Sequence, residues 1–380
     1  MTPENTSARI SSSPNKPFAA NPSFSNPLVR QLWPASALAL FLAFGVLLDV
    51  GANQYTQLIC LYICVNALLA LSLNLVNGFT GQFSIGHAGF MAIGAYVSAY
   101  LSTAPMIFGY HFVLLTGDFQ FVSYLIFAAA GGLMAALAGY IVGLPSLRLR
   151  GDYLAIVTLG FGEIIRVILL NTEAVGGARG MFGIPSPTAV VLGPITLSPF
   201  LVMFGLAGFW VVLTFTVLWR LGYSIHGRAF LSVREDEIAA EAMGVNTTKL
   251  KVRAFVISSF FAGVAGAIFA HSAHYLNPST FTFTKSVDAI IMVVLGGMGS
   301  LTGSVVAAIV VTIVPEFVLR PLQEYTHVDL RMVIYSLALI LFMIMRPQGI
   351  FGSLEITDIW RNYRSRRSNL SKGKSNGRAT

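Results

Sequence analysis

Long apolar runs constrain this chain more than any other feature of its sequence. An apolar helix needs about 20 residues to cross the hydrocarbon core of a bilayer. Runs near that length cover residues 35–50, 55–76, 83–101, 121–144, 153–170, 199–219, 255–275, 287–299, 301–319 and 332–345. Only 11% of the residues are charged, against about 25% in a typical soluble domain. We therefore predict an all-α, polytopic bundle of transmembrane helices with eight to ten spans.

Small residues indicate how these helices pack. The runs at 83–101 and 287–299 are rich in glycine, so we expect broken or re-entrant segments, which membranes tolerate where they line a protein-enclosed cavity. Small side chains also recur every four residues, which lets helix backbones approach closely in lipid. The two stripes consist of Gly131, Ala135, Gly139 and Gly143, and of Ala262, Gly266 and Ala270.

The basic residues suggest an orientation. With ten crossings, most of the 24 lysine and arginine residues fall on the side of both chain ends, which is the cytoplasmic side by the positive-inside rule. Nine crossings would place the basic C-terminal end outside. We expect a disordered cytoplasmic tail over residues 1–34, a membrane domain over 35–352 with a cytoplasmic loop at 220–253, and a basic cytoplasmic tail over 353–380.

Several function classes find no support in the sequence. The net charge of +8 reports membrane orientation in so apolar a chain, so we expect no nucleic-acid partner. Cys60 and Cys64 lie in one apolar run and read as packing residues. His271 and His274 have no third ligand near them, so we expect no metal site. The sequence has no P-loop and no catalytic constellation, and we expect neither a cofactor nor an enzyme.

The hydrophilic loop at 220–253 contains a helix signal. Ser232 and Glu235 have the spacing of a capping box, and three consecutive acidic residues then lie at the positive end of the helix dipole. Gly244 fits the left-handed position that follows a helix C-terminus. These features predict one amphipathic helix of about three turns along the inner membrane face; a solvated connector is the alternative.

Three blocks together resemble the LivM-type permeases of branched-chain amino acid ABC importers. They read LNLVNGFTGQFSIGHAGFMAIGAY at 73–96, RLRGDYLAIVTLGFGEI at 148–164 and VVLGGMGSLTG at 293–303. The resemblance implies a permease subunit in the cell inner membrane that imports branched-chain or other neutral amino acids. It also implies a homologous LivH-type permease, two ATPase subunits and a periplasmic or extracellular binding protein. A urea or short-amide permease is the nearest alternative, and a secondary carrier or channel the more distant one.

The resemblance assigns the loop helix to ATPase coupling. ABC importer permeases carry an EAA-x3-G signature there, and this chain keeps both alanines and the glycine but has isoleucine in place of the glutamate. Which neighbouring acid takes the role of that glutamate stays open. The implied coupling residues are Arg234, Glu237, Ala239, Ala240, Glu241 and Gly244.

A pathway for a zwitterion needs polar groups at membrane depth. The turn at 80–87 offers free amides and polar side chains, and a kinked helix junction is its alternative. Glu163 and Arg166 can pair on one helix face, either to neutralise each other and hold the bundle together or to meet substrate. Asp288 can face the outer mouth or form a solvated pair with Lys285. The candidate pathway residues are Gly81, Gln82, Ser84, His87, Glu163, Arg166 and Asp288.

Overall fold

The computed structural model describes residues 27–108, 120–147, 152–192, 195–319, 337, 340–341, 344–345, 349–352 and 355. The described residues contain eleven α-helices, and the all-α class is confirmed. These are α1 (Pro27–Gly51), α2 (Gln54–Asn74), α3 (His87–Phe108), α4 (Gln120–Ser146), α5 (Asp152–Asn171), α6 (Pro199–Gly222), α7 (Ile225–Glu235), α8 (Glu237–Ala242), α9 (Thr247–Ala273), α10 (Phe283–Gly296) and α11 (Leu301–Ile313). All but α7 and α8 match the first nine apolar runs; the tenth, 332–345, lies largely outside the described residues.

The chain is a multi-pass membrane protein. Seven helical segments of its described part are long and apolar enough to cross a membrane. α3, which has 22 residues, is not among these seven segments. α10 qualifies only together with the turn before it (Pro278–Gly296). With 14 residues it extends about 21 Å, short of a hydrocarbon core of about 30 Å.

The glycine-rich segments lie between helices. α2 ends in a π-helical turn (Leu75–Phe79), and residues 80–86 are not helical before α3 begins. A second turn, at 297–300, separates α10 from α11. Gly81 and Gly299 have φ angles of +69° and +92°, which glycine adopts without steric cost. These turns leave α3 and α10 continuous.

The centre of the bundle is α9, which packs on α2, α3 and α4. A Cβ atom on Gly94 of α3 would lie 2.0 Å from the carbonyl oxygen of Gly263, and one on Gly266 would lie 1.9 Å from that of Met91. On α4, a Cβ on Gly139 would lie 2.3 Å from Ser259 Oγ. The predicted close packing through small residues is confirmed.

Contacts define two ends of the bundle. At one end, which we name the Met181 end, strand β1 (Met181–Phe182) pairs antiparallel with β4 (Tyr275–Leu276). A hairpin of β2 (Val190–Leu192) and β3 (Ile195–Leu197) precedes α6. Opposite lies the Arg234 end, which contains α7, α8 and the two glycine turns.

Both described extremities of the chain lie at the Arg234 end. Trp33 of α1 packs edge-on against Trp219 near the end of α6. The carboxylate of Glu355 accepts hydrogen bonds from the amides of Leu301 (2.8 Å) and Thr302 (3.2 Å) at the start of α11. Residues 27–34, which we assigned to the N-terminal tail, belong to α1; residues 1–26 and 356–380 lie outside the described residues.

Candidate functional site

The reverse turn between α2 and α3, together with the first residue of α3, holds four candidate pathway residues. Thr80 Oγ1 donates a hydrogen bond to Val76 O (2.7 Å) at the end of the π-helical turn. Gly81 then reverses the chain with its positive φ, and the amide of Gln82 donates to Val76 O (3.1 Å). The amide of Ser84 donates to Asn77 Oδ1 (3.2 Å). The side chains of Gln82 and Ser84 are buried, whereas that of Phe83 between them is exposed.

Three buried polar atoms in this turn have no hydrogen-bond partner among the described residues. They are Gln82 Oε1, Ser84 Oγ and His87 Nδ1, on residues that are 8%, 0% and 1% exposed. The other imidazole nitrogen of His87 lies 3.0 Å from Ser72 Oγ and 3.3 Å from Ser258 Oγ. Buried polar groups are nearly always hydrogen-bonded, so these are atoms that water or a polar solute would satisfy.

Glu163 and Arg166 form an ion pair on an open face of α5. Arg166 Nε lies 2.6 Å from Glu163 Oε2, with the two side chains 26% and 37% exposed respectively. Apolar neighbours on the same helix are also uncovered, and we name this surface the α5 open face (Tyr153, Ile156, Glu163, Ile164, Arg166, Val167 and Ile168). Within the described part of the chain the pair therefore lies on one helix, and both roles, holding the bundle together and meeting substrate, stay predictions.

A narrow cleft connects Glu163 to the start of α3. Ile85, Ala88 and Ser286 line this cleft together with Glu163. The amide of Ala88 donates to Ser286 Oγ (3.0 Å), which ties α3 to α10 beside the carboxylate. The structure thus brings Glu163 next to the reverse turn, although the two are far apart in the sequence.

Asp288 lies apart from that cleft. Its neighbour Lys285 donates from Nζ to Asn66 Oδ1 (3.1 Å), and Asn66 Nδ2 donates to Thr312 Oγ1 (2.9 Å). Lys285 is therefore bound to α2, and it forms no ion pair with Asp288 among the described residues. Asp288 is half-buried on α10.

The loop between α6 and α9 contains two short helices, and the prediction of a single helix capped at Ser232 is wrong. Ser232 Oγ donates to Ala229 O (2.9 Å) within α7. Asp236 takes an extended conformation (φ −156°, ψ 108°), and its Oδ1 accepts from the amides of Ile238 (2.9 Å) and Ala239 (3.0 Å). A carboxylate caps free helix amides well, so Asp236 breaks the helix and starts α8.

The C-terminus of α8 follows the sequence prediction. Gly244 has a φ angle of +82°, and its amide donates to Glu241 O (2.9 Å). The next amide, of Val245, donates to Ala240 O (3.1 Å). These bonds satisfy carbonyl groups that the helix end would leave free.

Both acids beside the signature position bind the first turns of α9. Glu237 Oε1 accepts a hydrogen bond from Lys251 Nζ (2.6 Å). Glu241 Oε1 accepts from Thr247 Oγ1 (2.6 Å). Ala240 between them is buried. These three residues therefore hold α8 against α9.

The surface of α8 that faces away from the bundle is apolar. Ile238 and Met243 are 67% and 84% exposed, and Ala239 and Gly244 are exposed beside them. Of the six candidate coupling residues, only Ala239 and Gly244 lie on this surface. We name Ile238, Ala239, Met243 and Gly244 the α8 outer face.

Arg234 points inward from the last turn of α7. Its Nη1 donates to Gly78 O (2.7 Å), at the end of the π-helical turn. The side chain also lies against Gly81 and Gly299. The structure thus joins a candidate coupling residue to the candidate pathway turn.

The two histidines near the Met181 end have structural partners. His271 Nε2 lies 2.9 Å from Ser98 Oγ, and its Nδ1 lies 2.8 Å from Pro185 O. His274 Nδ1 lies 3.4 Å from Ile184 O. Among the described residues no group of three or more histidine, cysteine, aspartate or glutamate residues could hold a metal ion.

Comparison with known proteins gives this architecture a family. Residues 55–345 match the model of the branched-chain amino acid transport system permease component. The LivM permease of Escherichia coli is 38% identical over 87% of this chain and 77% of its own length. The chain belongs to this permease family. The Salmonella typhimurium LivM is 36% identical over the same shares, and the Escherichia coli LivH is 27% identical over 77% of this chain and 93% of its own.

No solved structure matches the permease significantly. Two contacts of its fold were not predicted from the sequence. Asn74 Nδ2 donates to Ser300 O and to Ser304 Oγ (2.9 Å each). Glu355, assigned above to the basic tail, is buried and caps α11. An asparagine in an apolar run was the only available signal, and nothing marked Glu355.

Proposed function

We propose that this permease is the membrane-spanning subunit of an ATP-driven importer that translocates branched-chain or other neutral amino acids. The observation that carries the proposal is its 38% identity with the LivM permease over 87% of the chain. ATP hydrolysis in this proposal belongs to separate subunits, and a periplasmic or extracellular binding protein delivers the amino acid.

The proposed substrate pathway runs along the α5 open face and the reverse turn at 80–87. A charged side chain at the centre of a membrane helix costs about 3 kcal/mol when it inserts, so lipid is a poor neighbour for Glu163 and Arg166. Water or a second protein surface would remove that cost. Gln82, Ser84 and His87 are close in the chain to Ile85 and Ala88, which line the narrow cleft, and their unpartnered atoms would supply acceptors for an ammonium group.

The second protein surface in this proposal is a homologous LivH-type permease. LivM and LivH relatives both match the chain, which supports an importer with two related permeases. Packing of the α5 open face on that partner would cover its apolar side chains and enclose the ion pair between the two subunits.

Two ATPase subunits would bind the Arg234 end. The α8 outer face supports this assignment because it presents Ile238 and Met243 to solvent in the largest internal hydrophilic stretch of the sequence. Glu237 and Glu241 anchor α8 to α9, so a force on α8 passes directly into the central helix. This division of roles leaves the acids as anchors and the apolar residues as the contact surface.

The proposed orientation places the Arg234 end in the cytoplasm of a cell with this permease in its inner membrane. Arg220, Arg228 and Arg253 lie at that end, in agreement with the positive-inside rule. Since Trp33 and Glu355 also lie there, both termini would be cytoplasmic. Reporter fusions at Arg30 and Lys372 should both give cytoplasmic signals, and one external signal would overturn this orientation.

Uptake of labelled leucine by cells that lack the endogenous chain tests the proposal. The wild-type permease, supplied with its partner subunits, should restore uptake, and excess leucine or alanine should compete more strongly than glutamate or urea. Strong competition by urea alone would assign the permease to urea or short amides. Uptake by a permease that purifies without any ATPase subunit would indicate a secondary carrier or channel.

The variant Glu163→Gln tests the pathway. It should accumulate to wild-type levels, because the pair is partly exposed, and lose uptake by about tenfold or more, equal to 1.4 kcal/mol. Glu173→Gln removes an exposed glutamate after α5 and serves as the matched control. Normal uptake in Glu163→Gln would remove the ion pair from the pathway.

A further inference from the structure

The two glycine turns at the Arg234 end form one unit. Asn74 Oδ1 accepts a hydrogen bond from the amide of Gly299 (2.9 Å), and a Cβ atom on Gly78 would lie 2.5 Å from the same amide nitrogen. The turn at 78–81 and the turn at 297–300 therefore touch through backbone atoms. We name these two turns, together with Asn74, the glycine junction.

The side chain of Arg234 lies between the two turns. A Cβ atom on Gly81 would be 2.9 Å from Arg234 Cγ, and one on Gly299 would be 3.1 Å from Arg234 Nη1. The same Nη1 donates to Gly78 O (2.7 Å). Both turns thus leave room for the arginine only because they lack side chains at these positions.

Arg234 is also the polar end of a hydrophobic attachment. Val233 and Phe230 of α7 are buried in a cluster with Phe79 and Leu301, which flank the two turns of the glycine junction. α7 is therefore held to the junction by apolar packing on one face and by one charged hydrogen bond at its last turn. Immediately beyond, the chain bends at Asp236 into α8.

A single hydrogen bond to a carbonyl suits a contact that has to move. Arg234 forms no ion pair among the described residues, so its release from Gly78 strands no buried carboxylate. Arginine presents several N–H donors in a rigid fork, whereas lysine presents a shorter-reaching point charge. The guanidinium can therefore exchange one backbone carbonyl of the junction for another when α7 shifts.

The turn that Arg234 holds leads directly to the unpartnered polar atoms. Gln82 follows Gly81, and Ser84 and His87 follow within the same reverse turn. We propose that Arg234 is a positioning residue that fixes the glycine junction in its present arrangement and transmits movement of α7 and α8 to this turn. The proposal rests on the proposed function for the source of that movement, the ATPase subunits.

A buried thiol reports the position of the turn without any transport. In the full-length permease with Cys60→Ala and Cys64→Ala, the substitution Ser84→Cys places a thiol of similar size at a fully buried position. Loss of a hydrogen bond to a charged group should raise the population of molecules in which the turn is locally open by about tenfold. We therefore expect a maleimide reagent to label Ser84→Cys about tenfold faster when Arg234→Gln is added.

Arg228→Gln is the matched control, because it removes the same charge from an exposed position of the same helix; it should leave the labelling rate unchanged. Equal rates for Arg234→Gln and the parent chain would overturn the proposal, as would equal acceleration by Arg228→Gln. If Arg234→Gln fails to accumulate, Arg234→Lys is measured instead, and the same outcomes support or overturn the proposal. Lysine retains the positive charge but lacks the planar set of N–H donors of arginine.

The complete transporter supplies the second readout. Arg234→Gln should retain ATPase activity but lose most of its stimulation by the loaded binding protein, together with uptake. A merely structural role would lower the amount of complex and leave stimulation per complex unchanged. If the wild-type permease transports no amino acid, the proposed function fails, while the labelling result still decides whether Arg234 positions the turn.

Discussion

The side chain of Asn74 accepts a hydrogen bond from the backbone amide of Gly299, a residue 225 positions later in the chain. Through its Nδ2 the same side chain donates to Ser300 O and Ser304 Oγ. Asn74 is fully buried, so one amide group satisfies three polar groups where two glycine turns meet. This contact joins the first and last thirds of the described chain at the end that carries α7 and α8.

Asn74→Ala should destabilise the permease strongly. The variant leaves the buried amide of Gly299 without its partner and removes the bonds to Ser300 O and Ser304 Oγ, which costs about 3 kcal/mol in total. The thermal unfolding midpoint of the purified protein in detergent should fall by several degrees. Asn171→Ala is the matched control, because that exposed side chain donates to Val167 O of its own helix and has no other hydrogen bond in the described part of the chain; its midpoint should stay within a degree of wild type. Similar midpoints for both variants would contradict the importance of Asn74.

Gly94→Ala should separate α3 from α9. Its new methyl group would lie 2.0 Å from Gly263 O, and backbone atoms at that distance have to move apart. Overpacking of this kind costs about 1–3 kcal/mol, measurable as a lower yield and unfolding midpoint. Gly160→Ala introduces the same methyl group into a helix position with no atom within 4 Å, so stability should be equal or higher. Equal loss in both variants would indicate a general cost of replacing helix glycines.

Gln82→Ala and Ser84→Ala should lower uptake without lowering stability. Each removes an unpartnered buried atom, so the fold loses no hydrogen bond at that atom, whereas a passing ammonium or water loses its acceptor. Uptake should fall about tenfold, equal to 1.4 kcal/mol, while the separate binding protein binds amino acid as before. Ser102→Ala is the control, because that buried hydroxyl already donates to Ala99 O (2.8 Å). Normal uptake in the first two variants would exclude the turn from the pathway.

Ile238→Asp and Met243→Asp should abolish association with the ATPase subunits. Both side chains are exposed, so a carboxylate there costs little folding energy, but buried in an interface it would lack a partner. Co-purification of the ATPase with the permease measures the effect, and the amount of permease in the membrane should not change. Ile225→Asp changes an equally exposed isoleucine at the start of α7 and should retain the ATPase. Retention by all three variants would remove α8 from the interface.

Local sequence patterns determined the helices of this protein. The length of an apolar run decides whether a segment can cross a bilayer, and this length located the nine described runs. In lipid the backbone can form hydrogen bonds only within the protein, so such runs become helices. Gly244 was equally predictable, since a positive φ after a helix requires a residue without Cβ. The spacing of Glu163 and Arg166 gave their ion pair for the same reason, because it depends only on helix geometry.

Tertiary structure decided which of these features meet. The helix start at Asp236 was not the one that the capping-box spacing indicated, because Ser232 and Asp236 can each cap a helix and only the folded loop selected Asp236. The direction of the α5 open face could not be predicted either. The sequence of α5 alone does not specify which of its faces packs against the other helices. Arg234 was assigned to ATPase coupling by resemblance, and the structure places it between Gly81 and Gly299. That placement depends on backbone atoms from three distant segments, and no local pattern encodes their mutual distance.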